Sequence, residues 1–275
     1  MATVFGGGGF TKVQRIHKVK EKAFAVPFRN GKGRKGGKMK RLVGLLFLVL
    51  AGAAFWANAA TLTVPDDYST ITAALAAARP GDEIVVTSKY DGTNEKYPIL
   101  IQIDNLTLRA AGSGVTIKGL VVVGAKRVYD PASGEYKPVR VSGVSVLGFN
   151  INGGVVIKEA DEVTVAGNLI GGVGIRLIDA HRCTIGGNMV TGAEIGIFLE
   201  RSNFNTLSEN NVYECGLGLF IFESKGNIVT GDTYNNNDEG GVVLNDSHEN
   251  ELQGLTVTEN GGWGVRFVFS DQNTL

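Results

Sequence analysis

The sequence is poor in the residues that staple, kink or chelate. It has two cysteines, Cys183 and Cys215, in 275 residues. Two are too few for a disulfide scaffold. Six prolines are too few for a proline-rich linker or a collagen-like chain. Of three histidines, only His181 and His248 lie beyond residue 60, a thin supply for a metal centre. No apolar run reaches the roughly 20 residues of a membrane-spanning helix. The longest, Leu42 to Trp56, has 15 apolar or small residues.

Basic charge is also scarce, though the formal net charge of zero conceals this. Residues 1–59 hold 12 of the 27 Lys and Arg and one acid, Glu21. From residue 60 onward 15 basic residues face 26 acidic ones, a net of −11. An acidic body excludes nucleic acid as the expected partner, because phosphate binding needs a basic face. It disfavours a polyanionic ligand unless basic residues are clustered locally.

What is present begins with an export signal. Met39-Lys40-Arg41 precedes the apolar run, and Ala57-Asn58-Ala59 follows it. A charged start, a short apolar stretch and an A-x-A site in that order make residues 39–59 a signal peptide, cut after Ala59. No membrane span remains after that cut. Residues 1–38, with Gly6 to Gly9 and Gly31 to Lys38, read as a misplaced translation start or as a disordered basic extension.

The remainder repeats. The segments at Val144, Val163, Cys183, Asn205, Asn227, Asn250 and Asn273 align, spaced 19, 20, 22, 22, 23 and 23 residues apart. A second piece, Gly followed by two apolar residues flanking a variable one, recurs from Gly154, Gly174, Gly196, Gly218, Gly241 and Gly264. Apolar residues alternate within each piece, the period of a strand with one buried face. Short strands at this spacing cannot all pair through tight hairpins. Stacked coils pair like with like in parallel. The spacing therefore predicts an all-β chain over 60–275, a right-handed parallel β-helix of about 20–23 residues per coil. Asn168, Asn188 and Asn210 fall at one corner offset. Asparagine there suits a left-handed corner, and stacked amides can bond along the axis. Upstream, Ser69–Ala78 reads as a short capping α-helix with Ile71, Ala74, Leu75 and Ala78 on one face. Strands are expected at Glu83–Thr87, Leu100–Ile103 and Leu106–Ala110. The chain ends at Asn273-Thr274-Leu275, three residues into a coil. This reads as a truncated solenoid or a joint for end-to-end self-association.

The run Thr70-Ile71-Thr72-Ala73-Ala74-Leu75, with Pro80-Gly81-Asp82-Glu83-Ile84-Val85-Val86 after it, resembles the opening of pectin-lyase-like β-helices. Ser202 to Asn210 and Ser247 to Leu252 resemble the repeats of NosD-like and carbohydrate-binding β-helix proteins. The resemblance covers about residues 61–275. The signal peptide makes the protein an exported one, secreted or periplasmic, and the resemblance implies a polysaccharide or cell-envelope glycan along the sheet that carries the glycine-led strands. The outward column of that sheet is Val156, Arg176, Phe198, Phe220, Val243 and Arg266. Beside it run Lys158, Ile178, Glu200, Phe222, Asn245 and Val268. Phe198, Phe220 and Phe222, flanked by Arg176 and Glu200, form the candidate ligand-binding patch. The competing reading has the loop Ala125–Val139 folded over these rings as a satellite core.

The corner after this strand carries Glu159, Asp179, Arg201, Glu223 and Asp246. Asp179, Arg201 and Glu223 are either an acid–base set or a ladder of alternating charge. The Asn-Thr-Asp, Asp-Asp and Gly-His-Gly motifs of polygalacturonase-like enzymes have no counterpart at corresponding positions. Three functions stay open: a polysaccharide-binding β-helix; a lyase, hydrolase or epimerase of the same fold; and an accessory protein for periplasmic metal-centre assembly. NosD-like proteins carry a copper-binding label, but His181 and His248 are three coils apart, roughly 14 Å. No cofactor is expected, with calcium at the carboxylates left open.

Overall fold

The computed structural model describes residues 59–275. The expected signal peptide and basic extension lie outside the described residues. Within them the chain is a right-handed parallel β-helix of about nine turns with one short helix. Each full coil gives one strand to each of three parallel sheets. Sheet 1 has nine strands, from Thr61–Val64 to Glu251–Gln253. Sheet 2 has eight, from Ile99–Ile101 to Trp263–Val268. Sheet 3 has seven, from Thr116–Ile117 to Thr256–Thr258.

Alternation along each strand fixes the register, because a slip of one residue would turn the apolar set outward. On sheet 1 the inward column runs Val146, Val165, Ile185, Leu207, Val229, Leu252. On sheet 2 Ile157, Leu177, Leu199, Ile221 and Leu244 stack the same way. Every one of these side chains is fully shielded except Leu252, at 1%. Burial of each aliphatic contributes roughly 1.5–3 kcal/mol. In the last coil Leu255, Val257 and Val265 are only half-buried.

The corners carry two further devices. One residue per corner takes a left-handed backbone. After sheet 2 the column is Glu159, Asp179, Arg201, Glu223 and Asp246, with φ of 51, 49, 47, 47 and 46°. The asparagines expected at left-handed corners are not in that conformation. Gly167, Gly187 and Glu209, one residue earlier, supply it. Asn168, Asn188 and Asn210 are instead buried and bond along the axis. Asn168 Nδ2 donates to Asn188 Oδ1 at 3.1 Å, and Asn188 Nδ2 to Asn210 Oδ1 at 3.0 Å. The series ends on Asp232, which also accepts the hydroxyl of buried Tyr234 at 2.7 Å. Burial raises the pKa of Asp232, against the opposing effect of these hydrogen bonds. A parallel ladder runs Asn205, Asn227, Asn250, Asn273. Ser202, Ser224, Ser247 and Ser270 form another.

The glycines that open the sheet 2 strands are held by close approach as well as by turning. A Cβ on Gly174, at φ 71°, would lie 2.3 Å from the carbonyl oxygen of Gly196 one coil on. Before the first full coil, the helix α1 spans Ile71–Ala77 and packs on the opening strands, burying Ile71, Ala74 and Leu75. Thr70 caps it through Oγ1, 3.0 Å from Ala73 N. Glu95, from a distant loop, accepts from the backbone N–H groups of Ile71 at 2.7 Å and Thr72 at 3.1 Å.

Candidate functional site

The outward face of sheet 2 carries Phe198, Phe220 and Phe222 on two neighbouring coils. Backbone pairing places Arg176, Phe198, Phe220, Val243 and Arg266 in one column, one residue per coil. Ile178, Glu200, Phe222, Asn245 and Val268 form the column beside it. Phe198 and Phe220 stack at 5.4 Å between ring centroids and 29° between planes. Phe222 leans on Phe220 at 6.0 Å. The Arg176 guanidinium lies 5.6 Å from the centre of the Phe198 ring. All three phenylalanines are half-buried, so each keeps part of a face open to solvent. Asn245 Oδ1, beside Phe222, is shielded and has no hydrogen-bond partner among the described residues.

The sequence columns miss a third one. The last four sheet 2 strands begin one residue before the recurrent glycine, so Ile195, Leu217, Gly240 and Trp263 also align. Trp263 is 48% exposed, and Arg266 lies 4.3 Å from its ring centre. The legible signal was the apolar residue preceding most of these glycines. Residues Lys126–Asp130 and Glu135–Val139 form an antiparallel hairpin whose strands pair only with each other. Its aromatics, Tyr129 and Tyr136, meet tilted by 59° at 5.4 Å between ring centroids and stay 50% and 69% exposed.

At the corner, Arg201 donates to both Asp179 oxygens, at 3.1 and 3.3 Å, and contacts Glu200. It stands 3.9 Å from Glu223. The hydrogen bonds that it donates to Asp179 and Glu200 push its pKa up. A guanidinium thus sits between Asp179 and Glu223 and holds them as counter-charges. Arg127 meets Glu159 in the same column at 3.0 Å. Exposed pairs of this kind contribute little, because water screens both charges. Replacing Arg201 with Gln should leave the denaturant midpoint unchanged within error; a clear fall would show that the ladder holds the corner.

Elsewhere charge is more sheltered. Arg140 binds Asp161 through two nitrogens, at 2.7 and 2.9 Å, and reaches the carbonyl oxygen of Asp179 at 2.6 Å. Burial works to raise the pKa of Asp161, but Arg140 prevails and holds it low. Burial, then the charge of Arg140, lowers the pKa of His181. Its Nδ1 accepts from Asn203 N at 3.1 Å. His248 lies three coils on in the same corner series, through Asn203 and Lys225, and meets Asp271.

These features define the class. The chain has the pectin-lyase-like β-helix fold, with a continuous outer face along the axis of the coil. It belongs to the NosD family: the model of that family, described as periplasmic copper-binding protein (NosD), matches residues 133–275. No curated protein matches the sequence. Among solved structures it is similar to the A-module of mannuronan C-5 epimerase AlgE6 from Azotobacter vinelandii. That match has 14% identity and TM-score 0.46, covering 74% of this chain and 68% of that one. A periplasmic alginate epimerase is similar at 14% identity and TM-score 0.41, covering 76% and 68%. An alginate lyase from Paenibacillus sp. str. FPU-7 is similar at 13% identity and TM-score 0.33, covering 78% and 99%. At these identities and scores the likeness carries nothing about chemistry.

The copper named in the family description can be tested against the described residues. Among them no three His, Cys, Asp or Glu side chains converge to hold a metal. Cys183 and Cys215 are free and buried in different ladders. Burial raises the Cys183 thiol to about 11, far from the thiolate that binds copper. Met189 lies outward on sheet 3, away from both histidines. The described residues therefore do not fit a copper centre. No described helix is long and apolar enough to cross a membrane.

Proposed function

We propose that the protein is exported through the leader at 39–59 and binds polysaccharide along the outer face of sheet 2. One observation carries this reading: the stacked, half-exposed ladder of Phe198, Phe220 and Phe222 on a flat face that runs along the axis. Sugar rings present C–H faces that pack on aromatic rings, while their hydroxyls need polar neighbours. Arg176, Glu200 and Asn245 stand at the edges of the ladder. Neighbouring coils lie about 4.8 Å apart, so the site extends as a line and suits an extended chain.

The test is affinity electrophoresis of the mature protein through gels containing neutral and acidic polysaccharides, with and without calcium. Retardation by at least one polymer is expected. Free migration through all of them under both conditions would remove the reading.

A further inference from the structure

Residues 59–275 contain eight arginines in a body dominated by acids. Five of them, Arg109, Arg127, Arg140, Arg182 and Arg201, are paired with carboxylates. Arg79, beside the helix, is unpaired among the described residues. The other two, Arg176 and Arg266, share one position of the repeat. Both lie in the outward column of sheet 2, and both sit over aromatic rings rather than against an acid. In a chain with 26 acids beyond residue 60, the two outward columns hold one, Glu200.

Charge on the adjoining columns agrees. Lys158, in the second column, has no carboxylate partner among the described residues. Glu200, the acid in those columns, is occupied by Arg201. Within these two columns Arg176, Arg266 and Lys158 outnumber Glu200, a local clustering of positive charge on an anionic body, and at the adjoining corner Asp179 and Glu223 are faced by Arg201. A guanidinium over a ring keeps its N–H edge for another partner. Of those edges, Arg176 uses one N–H, to the carbonyl oxygen of Val173 at 3.3 Å. Such an edge matches a carboxylate bidentately, and a neutral hydroxyl leaves it unfilled. Arg176 and Arg266 stand four coils apart, roughly 19 Å, too far for one sugar ring to reach both.

Resting on the glycan-binding reading above, we propose that this face selects a carboxylate-bearing polysaccharide over a neutral one, with Arg176 and Arg266 as the residues that read its acid groups. The ligand lies along the axis, its rings on Phe198 and Phe220.

The probes are polygalacturonate and the same polymer with its carboxyl groups reduced to alcohols, titrated calorimetrically into the mature protein. The native polymer should bind at least tenfold more tightly, and the preference should shrink as salt rises. The double variant R176Q/R266Q should keep the wild-type circular dichroism and lose far more affinity for the native polymer than for the reduced one, so that the preference disappears. Equal binding of both polymers by the wild type would overturn the proposal and leave the broader glycan reading intact. So would an unchanged preference in the double variant, or equally tight binding of dextran sulfate, which would mean unselective attraction. Failure to bind either polymer or any neutral glycan would remove both readings.

Discussion

Replacing Phe220 with Ala should weaken polysaccharide binding about tenfold, close to 1.4 kcal/mol. Stability should fall by only about 0.5–1.5 kcal/mol for each ring pairing that is broken. Phe220 is the middle ring of the three, stacked on Phe198 and touched by Phe222. Its removal breaks the platform into two separate rings. The ring is half-buried and outward, so no interior cavity opens. A phenylalanine in the core would instead cost about 3–5 kcal/mol on the same change. A urea curve and affinity electrophoresis on one preparation distinguish the cases. Destabilisation in the core range with binding unchanged would reassign the rings to packing alone.

The largest loss of stability is expected inside, at Asn205. Its Oδ1 accepts from Cys183 N at 2.8 Å, and its Nδ2 donates to Ala180 O at 3.2 Å and to Asn227 Oδ1 at 3.0 Å. The side chain is fully buried. Asn205→Ala strips partners from the N–H of Cys183 and the carbonyl of Ala180 in the preceding coil, both at a buried corner. Each such group costs about 1–3 kcal/mol, so roughly 3–5 kcal/mol is expected in total. The neighbouring outward residue gives the control: Thr206→Ala should change the midpoint little. If the two variants unfold alike, the ladder is not what fastens this corner.

The repeat was legible because two periods coincide, alternation within strands and the spacing between them. The members of both columns of sheet 2 come from that alignment, with the resemblance setting them outward, and backbone pairing puts them in register. The opening strands were read a residue or so long, with Leu106 and Thr87 outside the observed bounds. The corners were harder. Whether an asparagine turns the chain or bonds along the axis depends on the coil above it. Glycine or glutamate one residue earlier absorbs the left-handed φ, and the amide is freed for the ladder. Trp263 escaped because the strand begins one residue before the glycine that marked it. The hairpin at Lys126–Val139 escaped because an insertion lies outside the repeat, and its two strands answer only to each other. Glu95 at the start of the helix comes from a loop more than 20 residues away, beyond any local capping pattern.

The one-sided bonding of the ladders has a consequence for how this molecule can change. Backbone pairing joins each coil only to the coil above and the coil below, through the same three sheets. A coil can therefore be duplicated or deleted without refitting distant parts. The edit lengthens or shortens the outer face by one strand spacing and slides every later side chain along the axis by the same step. Arg176 and Arg266 would be moved apart or together while the fold stayed as it is. Of the three coils between them two carry the rings, so a whole-coil change alters the arginine spacing without altering the ladder only at the coil of Val243.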